Sequence, residues 1–144
     1  MVKIENTHIE SIIELAHPNQ IKSNVILSKK AEQTVIESRK TICNILAGKD
    51  KRLLLIIGPC SIHDTTAALD YAKKLAALSQ KLADKFFIIM RVYFEKPRTT
   101  LGWKGLINDP DINQSYNIEK GITIARQLLN QINELGLATA SEML

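Results

Sequence analysis

Two unbroken apolar runs, LLLII at residues 53–57 and FFIIMRVYF at residues 86–94, most constrain what this chain can fold into. A strand with one wet face alternates apolar and polar residues. Runs without that alternation suit strands buried on both faces, as in a parallel sheet. Between the runs, residues 65–82 place Ala68, Tyr71, Ala72, Leu75, Leu78 and Leu82 at spacings of three and four, the period of an amphipathic helix. Residues 116–135 repeat the device with Ile118, Ile122, Ala125, Leu129, Ile132 and Leu135, and Gly136 supplies the stop. Residues 137–142 read as a third strand. The order is β-α-β-loop-α-β, an α/β pattern of parallel strands joined by helical crossovers. A doubly wound sheet and a (β/α)8 barrel both satisfy it, and both place function at the carboxyl ends of strands.

Upstream, residues 1–27 show weak periodicity, and His17-Pro18-Asn19 is expected to break any helix there, leaving an arm. Ser28 can cap a helix running to about Ala47, with Val35, Ile42, Ile45 and Leu46 on one face and Gly48 ending it. The 144 residues suffice for one domain with a modest core. The net charge is +4, but the cations form no dense stripe interleaved with aromatics, so nucleic acid is not an expected partner. No apolar run approaches membrane-spanning length, and the first residues do not read as a secretory leader. Cys43 and Cys60 make neither a disulfide framework nor a CxxC pair. These features predict a cytoplasmic, reduced protein. The sequence reaches its last residue in or just after the third strand. Because a three-stranded parallel piece leaves an open edge, the chain is expected to be the front of something longer.

The polar clusters fall at the predicted strand ends: GPCSIHD, EKPRTT and Ser141-Glu142. In the second, Arg98 offers a planar fork of donors, Lys96 a compact charge, and Thr99 and Thr100 hydroxyls, with Pro97 stiffening the loop. Together they make a candidate anion clamp. Arg91 interrupts an apolar strand and needs a counter-charge, from a ligand or from an internal acid such as Glu142. The bland alternative is a solvated basic loop. In the first cluster, Cys60 and His63 sit at a strand tip. A thiolate there can bind a soft or borderline metal, although a lone cysteine after a strand is more often a small buried hydrophobe. His63 is as apt to bond backbone as a ligand. Trp103, in GWKG, is read as a cover for the strand ends. Glu142 is either a positioning carboxylate or an ordinary ion-pair partner.

LLLIIGPCSIHD followed by IMRVYFEKPRTTLGWKGLINDPD closely resembles type I, aromatic-amino-acid-regulated 3-deoxy-D-arabino-heptulosonate-7-phosphate (DAHP) synthases, from about Ser28 to Leu144 and more loosely through the arm. The resemblance implies an N-terminal arm and helix over 1–49, serving oligomerisation or regulation, and a partial TIM-barrel catalytic domain over 50–144. It implies condensation of phosphoenolpyruvate with erythrose 4-phosphate, the entry to the shikimate route to aromatic amino acids. It matches Arg91 and Lys96 to catalytic contacts with phosphoenolpyruvate, and Lys96, Pro97, Arg98 and Thr99 to the erythrose-phosphate loop. It matches Cys60 to a ligand of a divalent metal (Mn, Fe, Co, Zn or Cu) and Glu142 to an acid near the phosphoenolpyruvate site. An aromatic amino acid effector and a homo-oligomer of the full-length protein are further implications. In the family the remaining metal ligands and further substrate-binding cations lie later in the chain. Three strands of eight cannot close a barrel, so this chain by itself is expected to be inactive and to hold metal weakly. The alternative is a non-catalytic short subunit that pairs with a full-length synthase.

Overall fold

The computed structural model describes residues 4–9, 11–96 and 101–142. Helix α1 (Pro18–Asn24) and helix α2 (Lys29–Leu46) precede strand β1 (Leu53–Ile57), helix α3 (Thr65–Lys81), strand β2 (Phe86–Arg91), helix α4 (Ile118–Glu134) and strand β3 (Ala138–Ala140). The strands form one parallel sheet in the order β1-β2-β3. Leu53 pairs with Phe86 and Ile57 with Met90, while Arg91 pairs with Ala140. The three carboxyl ends are therefore level, and the loops that leave them converge.

Helices α3 and α4 contact each other, and their buried faces share one core with β2. Ala68, Ala72 and Leu75 of α3 meet Ala125, Leu128 and Ile132 of α4 over Ile88 and Met90. Each helix is stopped and started by local chemistry. The Asp64 carboxylate accepts from the Thr66 and Ala67 N–H groups at the start of α3. Ser28 Oγ accepts from the Ala31 N–H at the start of α2. At the end of α2, Gly48 takes φ +69°, its N–H bonds the Ile45 carbonyl and the Lys49 N–H bonds the Asn44 carbonyl, a Schellman closure.

The structure departs from the sequence expectations in four places. First, His17-Pro18-Asn19 starts a helix instead of preventing one. Proline is tolerated in the first turn, where its missing N–H has no helical partner, and His17 Nδ1 accepts from the Asn19 N–H as a cap. Second, β1 is not buried on both faces: Leu53 is 63% and Ile56 53% exposed. Strand β1 lies at the edge of the described sheet, while the central β2 keeps Ile88, Ile89 and Met90 buried. Third, the second strand stops at Arg91. Val92 keeps only one sheet-like bond, its N–H to the Ala140 carbonyl, and the backbone then turns to meet other loops. Fourth, residues expected on packed helix faces are exposed: Leu46 of α2 at 76%, and Tyr71 and Leu78 of α3 at 40% and 45%.

Candidate active site

Gly58 and Pro59 leave β1 directly against the end of β2. A Cβ on Gly58 would lie 2.4 Å from the Arg91 carbonyl oxygen and 2.9 Å from its nitrogen, so only glycine permits this approach. The closeness has a second effect. The Arg91 guanidinium turns back over the loop, Nε donating to the Pro59 carbonyl at 3.0 Å and one terminal nitrogen to the Gly58 carbonyl at 3.0 Å. It also stacks over the Tyr93 ring at 5.3 Å. The Glu142 ion pair, one of the two alternatives for Arg91, is not found among the described residues. Backbone carbonyls and an aromatic face hold the arginine without neutralising it, so its charge stays available to an anion.

Cys60 is exposed, which sets aside the buried-hydrophobe alternative. The Lys96 ammonium donates to Cys60 Sγ at 3.6 Å across 36 residues of sequence. Loop contacts hold both groups in place. Ser61 Oγ donates to the Glu95 carbonyl at 2.8 Å, the Ile62 N–H to the Tyr93 carbonyl at 2.8 Å, and the Lys96 N–H to the Lys104 carbonyl at 2.8 Å. Pro97, Arg98, Thr99 and Thr100, the rest of the predicted clamp, lie outside the described residues. The Lys96–Lys104 backbone bond joins the chain on the two sides of that segment.

Glu142 has a different task from an ion pair. Its Oε1 accepts from the N–H groups of Phe94 at 2.8 Å and Glu95 at 2.6 Å, and its Oε2 accepts from Ser141 Oγ at 2.9 Å. Burial pushes this carboxyl up. The hydrogen bonds from its own backbone, from Phe94 and Glu95 and from Ser141 together outweigh that and bring it below its ordinary value. The carboxylate thus fixes the backbone immediately before Lys96.

Glu95 escaped the sequence reading, although it stands directly beside Lys96 in EKPRTT. Its Oε1 is buried without a hydrogen-bond partner, and its Oε2 accepts from Asn108 Nδ2. Burial raises its carboxyl above the usual range. Asn108 and the Ile107 backbone oppose that rise, and the Glu142 charge adds to it. A carboxyl at the end of an apolar strand, directly before the cations of the candidate clamp, was the available signal. His63 meets the edge of the Trp103 ring at 6.4 Å, and Trp103 Nε1 donates to the Asp109 carbonyl at 2.8 Å. Trp103 packs against the core, as a cover would.

Metal chemistry finds one suitable donor. The exposed Cys60 thiol suits a borderline divalent cation, but no group of three His, Cys, Asp or Glu side chains able to hold one occurs among the described residues. These residues alone do not make a metal centre. No helix among them is long and apolar enough to cross a membrane.

Residues 24–144 match the model of the DAHP synthetase I family. The chain is 48% identical over 141 residues to the Tyr-sensitive phospho-2-dehydro-3-deoxyheptonate aldolase of Escherichia coli, covering 98% of this chain and 40% of that one. It is 51% identical to the Phe-sensitive enzyme of the same organism, covering 97% and 40%. Against the phenylalanine-inhibited enzyme of Saccharomyces cerevisiae it is 48% identical, covering 99% and 38%. The solved structure of a phospho-2-dehydro-3-deoxyheptonate aldolase from Francisella tularensis superposes with a TM-score of 0.91 at 48% identity, over 94% of this chain and 40% of that one. The chain therefore spans about 40% of the length of these relatives. Its strand-end loops, its level parallel sheet and the family match over residues 24–144 agree, and the chain belongs to the DAHP synthetase I family.

Proposed function

We propose that this chain supplies the first strands of a (β/α)8 barrel that condenses phosphoenolpyruvate with erythrose 4-phosphate, water adding at C2 as phosphate is released, at the head of aromatic amino acid synthesis. The observation that carries the reading is the meeting of Lys96 Nζ and Cys60 Sγ at 3.6 Å, with Arg91 docked on the loop between them. Both substrates are small phosphorylated anions that repel each other, so the site must offer cations in a fixed array. Arg91 and Lys96 are two of these cations, and Arg98 with Pro97 and Thr99 is proposed to complete the clamp. In the reaction, C3 of phosphoenolpyruvate attacks the aldehyde carbon, and negative charge grows on the aldehyde oxygen. Lys96 is proposed to hold the phosphoenolpyruvate anion; the bonds of Glu142 to the Phe94 and Glu95 N–H groups, which brace the backbone just before Lys96, support that role.

A divalent metal, where bound, would supply Lewis acidity. Cys60 is its proposed ligand here, and further ligands would have to come from residues not described. The aromatic effectors in the relatives' names support a similar effector as part of the same proposal, to which a homo-oligomeric full-length assembly also belongs.

The test has two arms on the purified 144-residue chain. With both substrates and Mn²⁺, no DAHP above background is expected, because the chain holds only part of the site. Robust turnover would overturn that incompleteness. In calorimetry, phosphoenolpyruvate is expected to bind weakly, and Lys96→Ala to weaken it about tenfold, or about 1.4 kcal/mol. Identical binding by wild type and Lys96→Ala would overturn the clamp.

A further inference from the structure

A second cavity, lined by none of Cys60, Arg91 and Lys96, lies between α1 and α4. It measures about 390 Å³, within the range of small-molecule sites. Ile21, Phe94, Ile107, Ile122 and Leu129 give it apolar walls. Two cations, Lys22 and Arg126, also line it, and no carboxylate does so among the described residues. Arg126 is held in place through one nitrogen, Nε donating to the Val25 carbonyl at 2.9 Å. That bond leaves the terminal nitrogens of the guanidinium for another acceptor.

From this juxtaposition of apolar walls with two cations and no acid, we propose that the cavity binds a small hydrophobic carboxylate lacking an ammonium group, such as an arylalkanoate. The apolar walls contribute by removing hydrocarbon from water, and Lys22 and Arg126 receive the single negative charge. A bare phosphate would gain the charge contacts but nothing from the walls. An amino acid would place its ammonium beside two cations with no carboxylate lining to receive it, and that desolvation is costly. Ser141 also lines the cavity, and its hydroxyl bonds Glu142, which in turn holds the Phe94 and Glu95 N–H groups. An occupant would therefore sit one hydrogen bond from the carboxylate that sets the Lys96 loop.

The test is a titration of the full 144-residue chain with 3-phenylpropanoate, followed by ligand-observed NMR or calorimetry. The comparators are 3-phenylpropanamide, which has the same hydrocarbon without the charge, and phenylalanine, which adds the ammonium. Inorganic phosphate and phosphoenolpyruvate serve as competitors. Saturable one-to-one binding is expected, with the amide and phenylalanine at least about tenfold weaker and neither competitor displacing the probe. Lys22→Gln is expected to weaken binding roughly three- to tenfold with an unchanged far-ultraviolet spectrum, because the Lys22 side chain is exposed. Leu129→Trp, which fills the cavity, is expected to abolish binding. No saturable binding up to about 10 mM would overturn the proposal. So would a phenylalanine or amide affinity equal to that of the carboxylate, or a Lys22→Gln chain that binds like wild type. None of these readouts requires turnover, so failure here is separate from failure of the condensation reading.

Discussion

Gly58 illustrates how one missing Cβ positions two functional groups. Because β1 can press its exit against Arg91, the guanidinium reaches the Gly58 and Pro59 carbonyls, and the next residue, Cys60, emerges beside Lys96. Gly58→Ala is expected to destabilise the chain by on the order of 2–4 kcal/mol, because the new atom meets backbone that cannot rotate away. Urea unfolding followed by circular dichroism measures it, and a loss within experimental scatter would mean that the two strand ends can separate freely. Glu95 makes a different residue-scale prediction. Its folded carboxyl is raised above the ordinary value, so the fold favours the protonated form. The stability this contributes is complete below the ordinary glutamate range and is lost as pH rises through the raised value. Glu142 has the opposite sign: its carboxyl is lowered, so its contribution is present above the ordinary range and is lost as pH falls through the lowered value. Glu95→Gln should therefore raise the neutral-pH melting temperature, by on the order of a few degrees, and flatten the decline above the ordinary glutamate range. Melting curves across pH check both parts, and an undiminished decline would assign it to another group. Glu95 and Glu142 were unequally legible. Glu142 could be singled out as a carboxylate at a strand end, but its bonds to the Phe94 and Glu95 N–H groups depend on contacts 47 and 48 residues apart.

The elements themselves were legible because their signals are local. Periodicity and the Ser28, Gly48 and Gly136 boundaries identify α2 and α4 to within a few residues. The capping residue Asp64 shows how local that information is, since one carboxylate oxygen satisfies two N–H groups of the first turn of α3. Asp64→Ala is expected to cost about 1–2 kcal/mol, read as a lower urea midpoint with an unchanged slope. An altered slope would instead indicate that the loss of the cap loosens the α3–β2 core. Helix α1 is not legible where proline is read only as a helix breaker. The same ring is acceptable in a first turn, and His17 supplies the cap. The end of β2 was misplaced for a related reason. Val92 and Phe94 are buried like strand residues, but they are buried by loops and α4 and not by continuous pairing.

At the scale of the molecule, the described sheet has a central strand buried at Ile88, Ile89 and Met90 and an edge strand partly bare. Leu53, Ile56 and Ile57 of β1 lie along that edge, which also presents unpaired backbone groups. The chain is expected to associate as its concentration rises, with sedimentation velocity showing faster species at higher loading. Leu53→Lys, which sets a charge on the edge, should raise the association midpoint about tenfold. Identical behaviour of variant and wild type would place the contact elsewhere on the surface.

What the sequence determined by itself was the set of parallel elements, their order and the residue types at each strand end. These follow from short-range physics: side-chain period, capping and turn chemistry all act within a few residues. The motifs also carried the family. The tertiary structure decided which ends meet and with what partners. It turned Arg91 onto backbone carbonyls instead of Glu142, and brought Cys60 to Lys96 across 36 residues. It also buried Glu95 Oε1 and opened the cavity between α1 and α4. Those outcomes depend on parallel register and on the close approach that Gly58 allows. Both are long-range properties of the packed chain and leave no periodic trace in its sequence.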